Sequence, residues 1–191
     1  MKIRIFIAMT TLLISTSLHA QEAVPKHWQV GLGLYTSAVS YNNTSDDEFG
    51  GGAISASYAA TDNFAFRGTL FSLEHDEFSE GESSGYDLVI YGGTGLLTQG
   101  FKIYGGGGLF KDTWEAFGVD ESFNGFQLNG GLGYNWDMVA IDLVIGIRSI
   151  SDYDDLAKQF GLTVDTAVSS NLSVSFRFWS SFSAIALLFA K

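Results

Sequence analysis

The sequence predicts an all-β fold, an eight-stranded antiparallel up-and-down β-barrel that crosses a membrane. Three observations support this prediction. The chain begins with an export signal, eight later segments alternate apolar residues with small or polar ones, and short turns alternate with long acidic connections. A period of two indicates a strand with two different faces, and alternating connection lengths are typical of outer-membrane barrels.

The first 20 residues have the pattern of a secretory signal peptide that is cleaved on export. Lys2 and Arg4 precede the apolar run Ile5–Ile14, and the small residue Ala20 ends the segment. The run is too short to cross a bilayer as a helix. We therefore expect the barrel to occupy residues 21–178 and residues 179–191 to form a C-terminal extension.

Charge and composition exclude several classes of function. The chain has 21 acidic and 10 basic residues, and loss of Lys2 and Arg4 with the signal leaves 8 basic residues and a net charge of −13. Nucleic acid is therefore not an expected partner, because phosphate binding needs clustered Lys and Arg. There is no cysteine, so stability must come from packing or barrel closure rather than from disulfides.

Eight segments show the strand alternation, and no segment shows a convincing helical period. In chain order their apolar faces carry Trp28, Val30, Leu32 and Leu34; Ile54, Ala56 and Tyr58; Phe64, Phe66 and Leu70; Leu88 and Ile90; Phe101, Ile103 and Leu109; Phe126, Leu128, Leu132 and Tyr134; Val139, Ile141, Leu143, Ile145 and Ile147; and Leu172, Val174, Phe176 and Phe178.

The stretch "FKIYGGGGLF", Phe101–Phe110, contains four consecutive glycines. A phosphate-binding loop would continue with Gly-Lys-Ser/Thr at the start of a helix, and this stretch does not. The alternation enters and leaves the glycines in register, so we interpret the run as a strand. In a narrow barrel, glycine relieves crowding and gives room to a bulky interior group such as Tyr91 or Tyr104.

The connections follow the order long, short, long, short, long, short, long. The short ones are Thr61–Asn63, Thr98–Gly100 and Asn135–Asp137, and the third long one spans Asp112–Ser122. We expect the long connections to form four acidic extracellular loops. Their principal acids are Asp46, Asp47, Glu48, Asp76, Glu77, Glu80, Asp120, Glu121, Asp152, Asp154 and Asp155.

The charged residues of the strands alternate with the large aliphatic residues, so the two kinds of side chain point to opposite faces of the sheet. In a membrane barrel the aliphatic face meets lipid, and the polar residues fill the interior. The expected interior polar core is Arg67, Asp87, Lys102, Gln127, Asn129, Asp142, Arg148 and Arg177. A soluble ligand-carrying barrel, the alternative, would reverse this sorting.

Aromatic residues near the ends of the segments fit the two interfacial girdles of such a barrel. The expected girdle at the short turns is Trp28, Phe64, Phe101, Tyr134, Trp136 and Phe178. The expected girdle at the long loops is Tyr41, Tyr86, Phe110 and Phe123.

The export signal, the alternating strands and the segments "GGGGLF", "LNGGLGYNW" and "LSVSFRF" resemble the small outer-membrane β-barrels of the OmpA/OmpX type. The resemblance covers nearly all of the mature chain. It implies a place in the outer membrane of a Gram-negative cell, in contact with membrane lipid and lipopolysaccharide. It also implies that the barrel-assembly machinery reads Phe176 and Phe178. Chains of this family usually stop at that last aromatic residue, whereas this one continues to Lys191.

Members of this family differ widely in role, so the fold does not determine the function. We expect a monomeric, non-catalytic protein without a cofactor, with a structural role or a surface role in which the loops bind an extracellular ligand. One alternative is a lipid-modifying enzyme, for which His75, Glu74, Ser72 and Ser79 offer a Ser/His/acid set. The other is a narrow porin-like channel, although side chains fill eight-stranded barrels. Weak binding of divalent ions at Asp46–Glu48 and Asp152–Asp155 is a minor hypothesis.

Overall fold

Eight antiparallel strands close into a barrel in the computed structural model of the chain, as the sequence predicts. The structure describes residues 25–42, 45–76, 81–116 and 119–179. The strands are β1 (Trp28–Tyr41), β2 (Asp47–Thr61), β3 (Phe64–His75), β4 (Glu82–Thr94), β5 (Gly100–Ala116), β6 (Val119–Asn135), β7 (Val139–Arg148) and β8 (Val164–Phe178), and one helix, α1 (Ser151–Gln159), precedes β8. The predicted signal peptide and residues 180–191 lie outside the described residues.

Each strand pairs with its neighbours in the chain, and β8 returns to pair with β1. This closing pair runs from Trp28 opposite Phe178 to Tyr41 opposite Val164, with a bulge at Ser40 and Tyr41. Every strand therefore has two partners, and the sheet has no free edge. No helix of the described residues is long and apolar enough to cross a membrane.

The strands present their aliphatic side chains outward and their polar side chains inward. On β7, Leu143, Ile145 and Ile147 are 38%, 57% and 63% exposed, whereas Asp142 and Arg148, which flank them at the opposite parity, are buried. The same alternation marks the other strands, which leaves an apolar band around the outside of the barrel. A soluble ligand-carrying barrel would show the reverse sorting, and that alternative is wrong for this chain.

The turn end, which carries the three short turns, is cross-linked by a single carboxylate. Asp62 in the β2–β3 turn accepts hydrogen bonds from the backbone N–H groups of Gly95 (3.0 Å), Leu97 (3.2 Å) and Thr98 (2.9 Å), and from the Thr98 hydroxyl (2.8 Å). Partial burial alone would raise the pKa of Asp62, but these hydrogen bonds outweigh it and hold the pKa below its ordinary value of 3.8. The β2–β3 and β4–β5 turns are thus held together.

The loop end, which carries the long connections, differs from the sequence prediction in two places. The fourth connection contains α1, which buries Tyr153 and Ala157 although no helical period was predicted there. The third connection, predicted as a loop from Asp112 to Ser122, is mostly a continuation of the β5–β6 hairpin, with register pairs as far as Ala116 opposite Val119. Asp120 and Glu121 therefore lie on a strand rather than in a loop.

Two inward-facing glycines give room to interior rings, as the sequence predicts. A Cβ atom at Gly131 would collide with the ring of Tyr104, and one at Gly106 would collide with the backbone carbonyl oxygen of Ile90 and lie 2.9 Å from Cδ1 of Tyr91. The glycine run of β5 is therefore a strand whose interior face lies close to bulky neighbours.

Candidate functional site

A cluster of charges around Asp142 fills the interior of the barrel nearer the turn end. The carboxylate of Asp142 is fully buried and lies 2.8 Å from the Lys102 ammonium and 3.2 Å from the Arg67 guanidinium. The hydroxyl of Tyr104 donates a further hydrogen bond to Asp142 Oδ1. Arg67 also lies over the rings of Tyr91 and Tyr104, at 5.7 and 5.9 Å from their centroids. One carboxylate thus joins β3, β5 and β7 across the interior.

A second cluster surrounds Arg148 nearer the loop end. Its guanidinium lies 3.1 Å from a carboxylate oxygen of Asp87 and 3.1 Å from one of Asp112. Tyr35 donates to Asp87 and Tyr153 donates to Asp112, at 2.6 and 3.1 Å. Both acids therefore have a cationic partner and a phenolic donor, as buried charges require.

Aromatic rings cover the second cluster on the side of the loop end. The ring of Phe110 lies 4.6 Å from the Arg148 guanidinium carbon, and the rings of Phe123 and Tyr153 stack at 4.5 Å. Phe110 and Phe123 are each 2% exposed, so their predicted place in an outer aromatic girdle is wrong. Both lie inside the barrel, where they pack with buried residues of α1.

Arg177 closes the opposite end of the interior. Its guanidinium donates to the carbonyl oxygens of Trp136 and Leu97, which belong to two different turns. The flanking Phe176 and Phe178 lie on the outer face of β8, with their ring centroids 6.2 Å apart. The residue between the two predicted assembly-signal aromatics therefore anchors the last strand to the turn end.

Very little space remains between these groups. Two interior cavities have volumes of about 20 Å³ each, one beside Arg67 and Asp142 and the other beside Asp87 and Asn129. Each has room for about one water molecule. The barrel interior is therefore a packed core of paired charges and rings.

The eight residues expected in the interior lie on the inner face of the strands. Arg67, Asp87, Lys102, Gln127, Asp142, Arg148 and Arg177 are buried, and Asn129 is half-buried against one of the two small cavities. Gln127 takes no part in the two charge clusters, and its amide donates to the carbonyl oxygen of Leu109 at 3.3 Å.

Most of the acids predicted in the loops lie exposed at the loop end. The exposed ones are Asp46, Glu48, Asp76, Asp120, Glu121 and Asp155. Three others are half-buried, because Asp47 accepts a hydrogen bond from Tyr41, Asp152 accepts two from Asn124, and Asp154 accepts one from the N–H of Val164. Glu77 and Glu80 lie outside the described residues.

Local pairing also affects the charge of α1. Lys158 donates a hydrogen bond to Asp154, with 2.7 Å between nitrogen and oxygen, and this bond lowers the pKa of Asp154.

Within the described parts of the chain, no three His, Asp or Glu residues form a group that could hold a metal ion.

The hypothetical catalytic set at the end of β3 is not assembled from the described residues. Ser72 and Glu74 are exposed on the outer face, whereas His75 has the opposite parity. The ring of His75 instead lies 3.4 Å from Asp47 and edge-on to Phe49. Ser79 lies outside the described residues.

Sequence reasoning missed the acid that completes the Arg148 cluster. Asp112 was read as a loop residue, although it shares its parity along β5 with the inward-facing Lys102 and Tyr104. Extending the alternation past Phe110 would have placed it inside. Tyr153 could not have been found in this way, because it reaches the interior from α1.

Comparison with known proteins gives a structural answer only. No protein-family model matches the chain, and no curated protein matches it by sequence. The crystal structure of Ail, the attachment invasion locus protein of Yersinia pestis, is similar with a TM-score of 0.56 and 18% identity, over 81% of this chain and 100% of that one. OprG, an outer-membrane protein of Pseudomonas aeruginosa, is similar with a TM-score of 0.54 and 10% identity, over 81% and 97% of the two chains. Neisserial surface protein A is similar with a TM-score of 0.53 and 16% identity, over 80% of this chain and 97% of that one. By fold, therefore, the chain is a small eight-stranded β-barrel of the kind found in outer-membrane proteins.

Proposed function

We propose that the chain is an integral, non-catalytic protein of a bacterial outer membrane, and that it displays an acidic surface outside the cell. The observation that carries this proposal is the continuous apolar band around a closed barrel whose charged strand side chains lie mostly inside. Such a surface would be unstable in water, whereas a bilayer requires both the apolar band and the closed hydrogen bonding of the barrel.

The two ends of the barrel support an orientation in the membrane. Trp28 at the start of β1 and Phe178 at the end of β8 lie at the turn end, together with the three short turns. Outer-membrane barrels keep their short turns in the periplasm and their longer loops outside. We therefore orient the loop end, with α1 and the exposed acids, toward the cell exterior.

A role at the surface is favoured over transport through the barrel. The interior holds paired charges, stacked rings and cavities of about 20 Å³, so a solute would have to displace buried ion pairs to pass. Planar-bilayer recordings with purified protein are expected to show no steady current. A reproducible conductance would contradict this part of the proposal.

The charge of the loop end points to a cationic partner. Among the described residues its exposed carboxylates face only two basic residues outside the barrel interior, Lys111 and Lys158. Ail has been solved in complex with the heparin analogue sucrose octasulfate, a polyanion. The acidic loop end of this chain has the wrong sign for a polyanion, so we do not transfer that ligand and propose a basic surface ligand instead.

Fractionation with gel migration tests the membrane location. The protein is expected in the outer-membrane fraction, and samples kept unheated in detergent are expected to migrate differently from boiled ones. Recovery in the soluble periplasmic fraction would contradict the proposal.

An unchanged lipid A profile after deletion of the gene would argue against the enzymatic alternative, and an altered one would support it.

Variants of exposed carboxylates test the surface role. Replacing Glu121 and Asp155 with their amides should weaken capture of basic ligands by whole cells. Replacing the half-buried Asp47 with Asn serves as a comparison, because its carboxylate accepts the Tyr41 hydroxyl. Equal capture by all these variants would contradict a role for the acidic loop end.

A further inference from the structure

The outer face of β4, β5 and β6 carries a patch of glycines, which borders an apolar groove over β5, β6 and β7. Gly92, Gly105 and Gly130 lie directly opposite one another across the three strands. A Cβ atom at Gly130 would meet nothing within 4 Å, and those at Gly92 and Gly105 would meet only a carbonyl oxygen at 4.0 and 3.5 Å. The floor of the groove is therefore bare backbone on a face that is elsewhere covered by aliphatic side chains.

The groove extends along β5, β6 and β7 toward the loop end. Its part beside Gly130 has a volume of about 540 Å³ between Ile103, Leu132 and Ile145. An adjoining part of about 660 Å³ lies beside Gly107. Leu128 and Ile147 line both parts, so the groove is continuous. Both parts are open depressions of the outer face, and their walls are mostly apolar.

A lysine stands at the loop end of the groove. Along the outer face of β5 the order is Gly105, Gly107, Leu109 and Lys111, and Lys111 lies opposite Tyr86 on β4 and Asn124 on β6. Lys111 is exposed and forms no ion pair with any described residue. The other basic residues of the described strands, Arg67, Lys102, Arg148 and Arg177, all lie buried inside the barrel.

The acids near this lysine leave its charge available. Asp152 of α1 contacts Asn124, the residue opposite Lys111 on β6, and its Oδ2 accepts both the backbone and the side-chain N–H of Asn124 at 3.0 Å. Three more acids lie further toward the loop end. Glu115 follows Lys111 by four residues on β5, and the residues opposite it on the neighbouring strands are Glu82 and Asp120. This acidic rim repels an anionic headgroup, so Lys111 is the one favourable contact for it on the described outer face of these three strands.

The distance between lysine and glycines matches one leaflet of a bilayer. Lys111 lies six positions after Gly105, which is about 20 Å along the strand. At the usual tilt of barrel strands this corresponds to about 15 Å along the membrane normal, half of a hydrocarbon core of about 30 Å. A lipid with its phosphate at Lys111 would thus lay its acyl chain along the whole groove.

We propose that this face binds one phosphate-bearing lipid, with Lys111 holding the phosphate and the glycine-floored groove holding an acyl chain. The inference rests on the proposed residence in a membrane and adds a defined lipid site to it. Tyr86 and Asn124 flank the phosphate position and limit the room for the headgroup.

Native mass spectrometry of the folded barrel in zwitterionic detergent tests the site. The probe is dimyristoyl phosphatidic acid, with dimyristoyl phosphatidylcholine as the comparison. The unmodified protein should retain one phosphatidic acid in preference to phosphatidylcholine. Lys111→Gln should weaken that retention about fivefold, the effect of one lysine near an anionic lipid surface.

Two control variants distinguish loss of the lipid site from the general effects of losing a charge or adding an outward side chain. Lys158→Gln makes the same charge change on α1 and should leave retention unchanged. Gly130→Leu fills the groove and should weaken retention of both lipids, whereas Gly52→Leu, at an outward glycine of β2 with equally open space, should not.

The outcomes that overturn the proposal are equally specific. Equal losses in Lys111→Gln and Lys158→Gln would show a general charge effect. Unchanged retention in Gly130→Leu would show that the groove holds no acyl chain, and a dimer that disappears in this variant would show that a second copy occupies the face. Unheated gel migration is checked for each variant, so that a failure to form the barrel, which would contradict the proposed function itself, is distinguished from loss of the lipid.

Discussion

Asp142 is the residue on which the interior charge balance depends most. Its carboxylate compensates Lys102 and Arg67 together and accepts the Tyr104 hydroxyl, with no exposure to solvent. Removing one member of a buried ion cluster leaves its partners charged without compensation, which costs more than the net stabilisation by the cluster.

Asp142→Asn should therefore lower the free energy of unfolding of the folded barrel by about 3–5 kcal/mol. Urea unfolding in lipid vesicles, followed by tryptophan fluorescence, measures the change. Asp155→Asn on the exposed face of α1 is the control and should stay within about 0.5 kcal/mol of the unmodified protein. Similar losses in the two variants would contradict the assigned role of the buried cluster.

At the scale of the element, the glycines on the two faces of β5 differ in how well they tolerate a side chain. A Cβ at Gly108 would collide with the carbonyl oxygen of Leu88 and lie 2.7 Å from Cα of Val89, whereas one at Gly107 would meet Leu128 Cδ2 at an ordinary 3.5 Å. The first collision is with backbone, which cannot move aside without distorting the β4–β5 pairing.

Gly108→Ala should accordingly destabilise the barrel by about 1–3 kcal/mol. Gly107→Ala, the adjacent residue on the other face, should change the stability by less than about 0.5 kcal/mol. The same urea unfolding experiment compares the two. If Gly107→Ala were the more damaging variant, the assignment of inner and outer faces on β5 would be wrong.

The turn that carries Asp62 should make stability depend on pH. Because the pKa of Asp62 is lowered in the folded protein, its contribution is complete above the ordinary value of 3.8 and is lost as pH falls through the lower folded value. Asp62→Asn should remove this part of the acid sensitivity. Unfolding midpoints measured between about pH 5 and pH 2 should then fall less steeply in the variant than in the unmodified protein. Parallel curves would contradict the prediction.

The sequence predicted the strands well because a membrane barrel repeats one local rule. Alternation at Leu143, Ile145 and Ile147 needs no knowledge of the partner strand to be read. It predicted the loop end poorly, because beyond the apolar band the outward residues of β5, Thr113 and Glu115, are polar, and apolar side chains such as Trp114 turn inward instead. The β5–β6 hairpin beyond Lys111 was therefore taken for a loop. In α1 the nine residues include four charged ones and are too short for a clear period.

At the scale of the whole molecule, the apolar band should contact lipid on all sides. The chain has no cysteine, so single cysteines can be introduced without a background. Labels at Leu32 and Leu70, which are 67% and 63% exposed, should be quenched by brominated lipids in vesicles and protected from aqueous iodide. A label at Asp155 should show the opposite pattern. Quenching of the first two by iodide would contradict membrane insertion.

The closing pair of β1 and β8 joins Trp28 to Phe178, the two ends of the described barrel. Without β8, one edge of β1 has no hydrogen-bonding partner, and a partly formed barrel exposes unpaired strand edges. The barrel can therefore close only once its last strand, β8, is available, so closure requires residues 164–178 to be present together with β1.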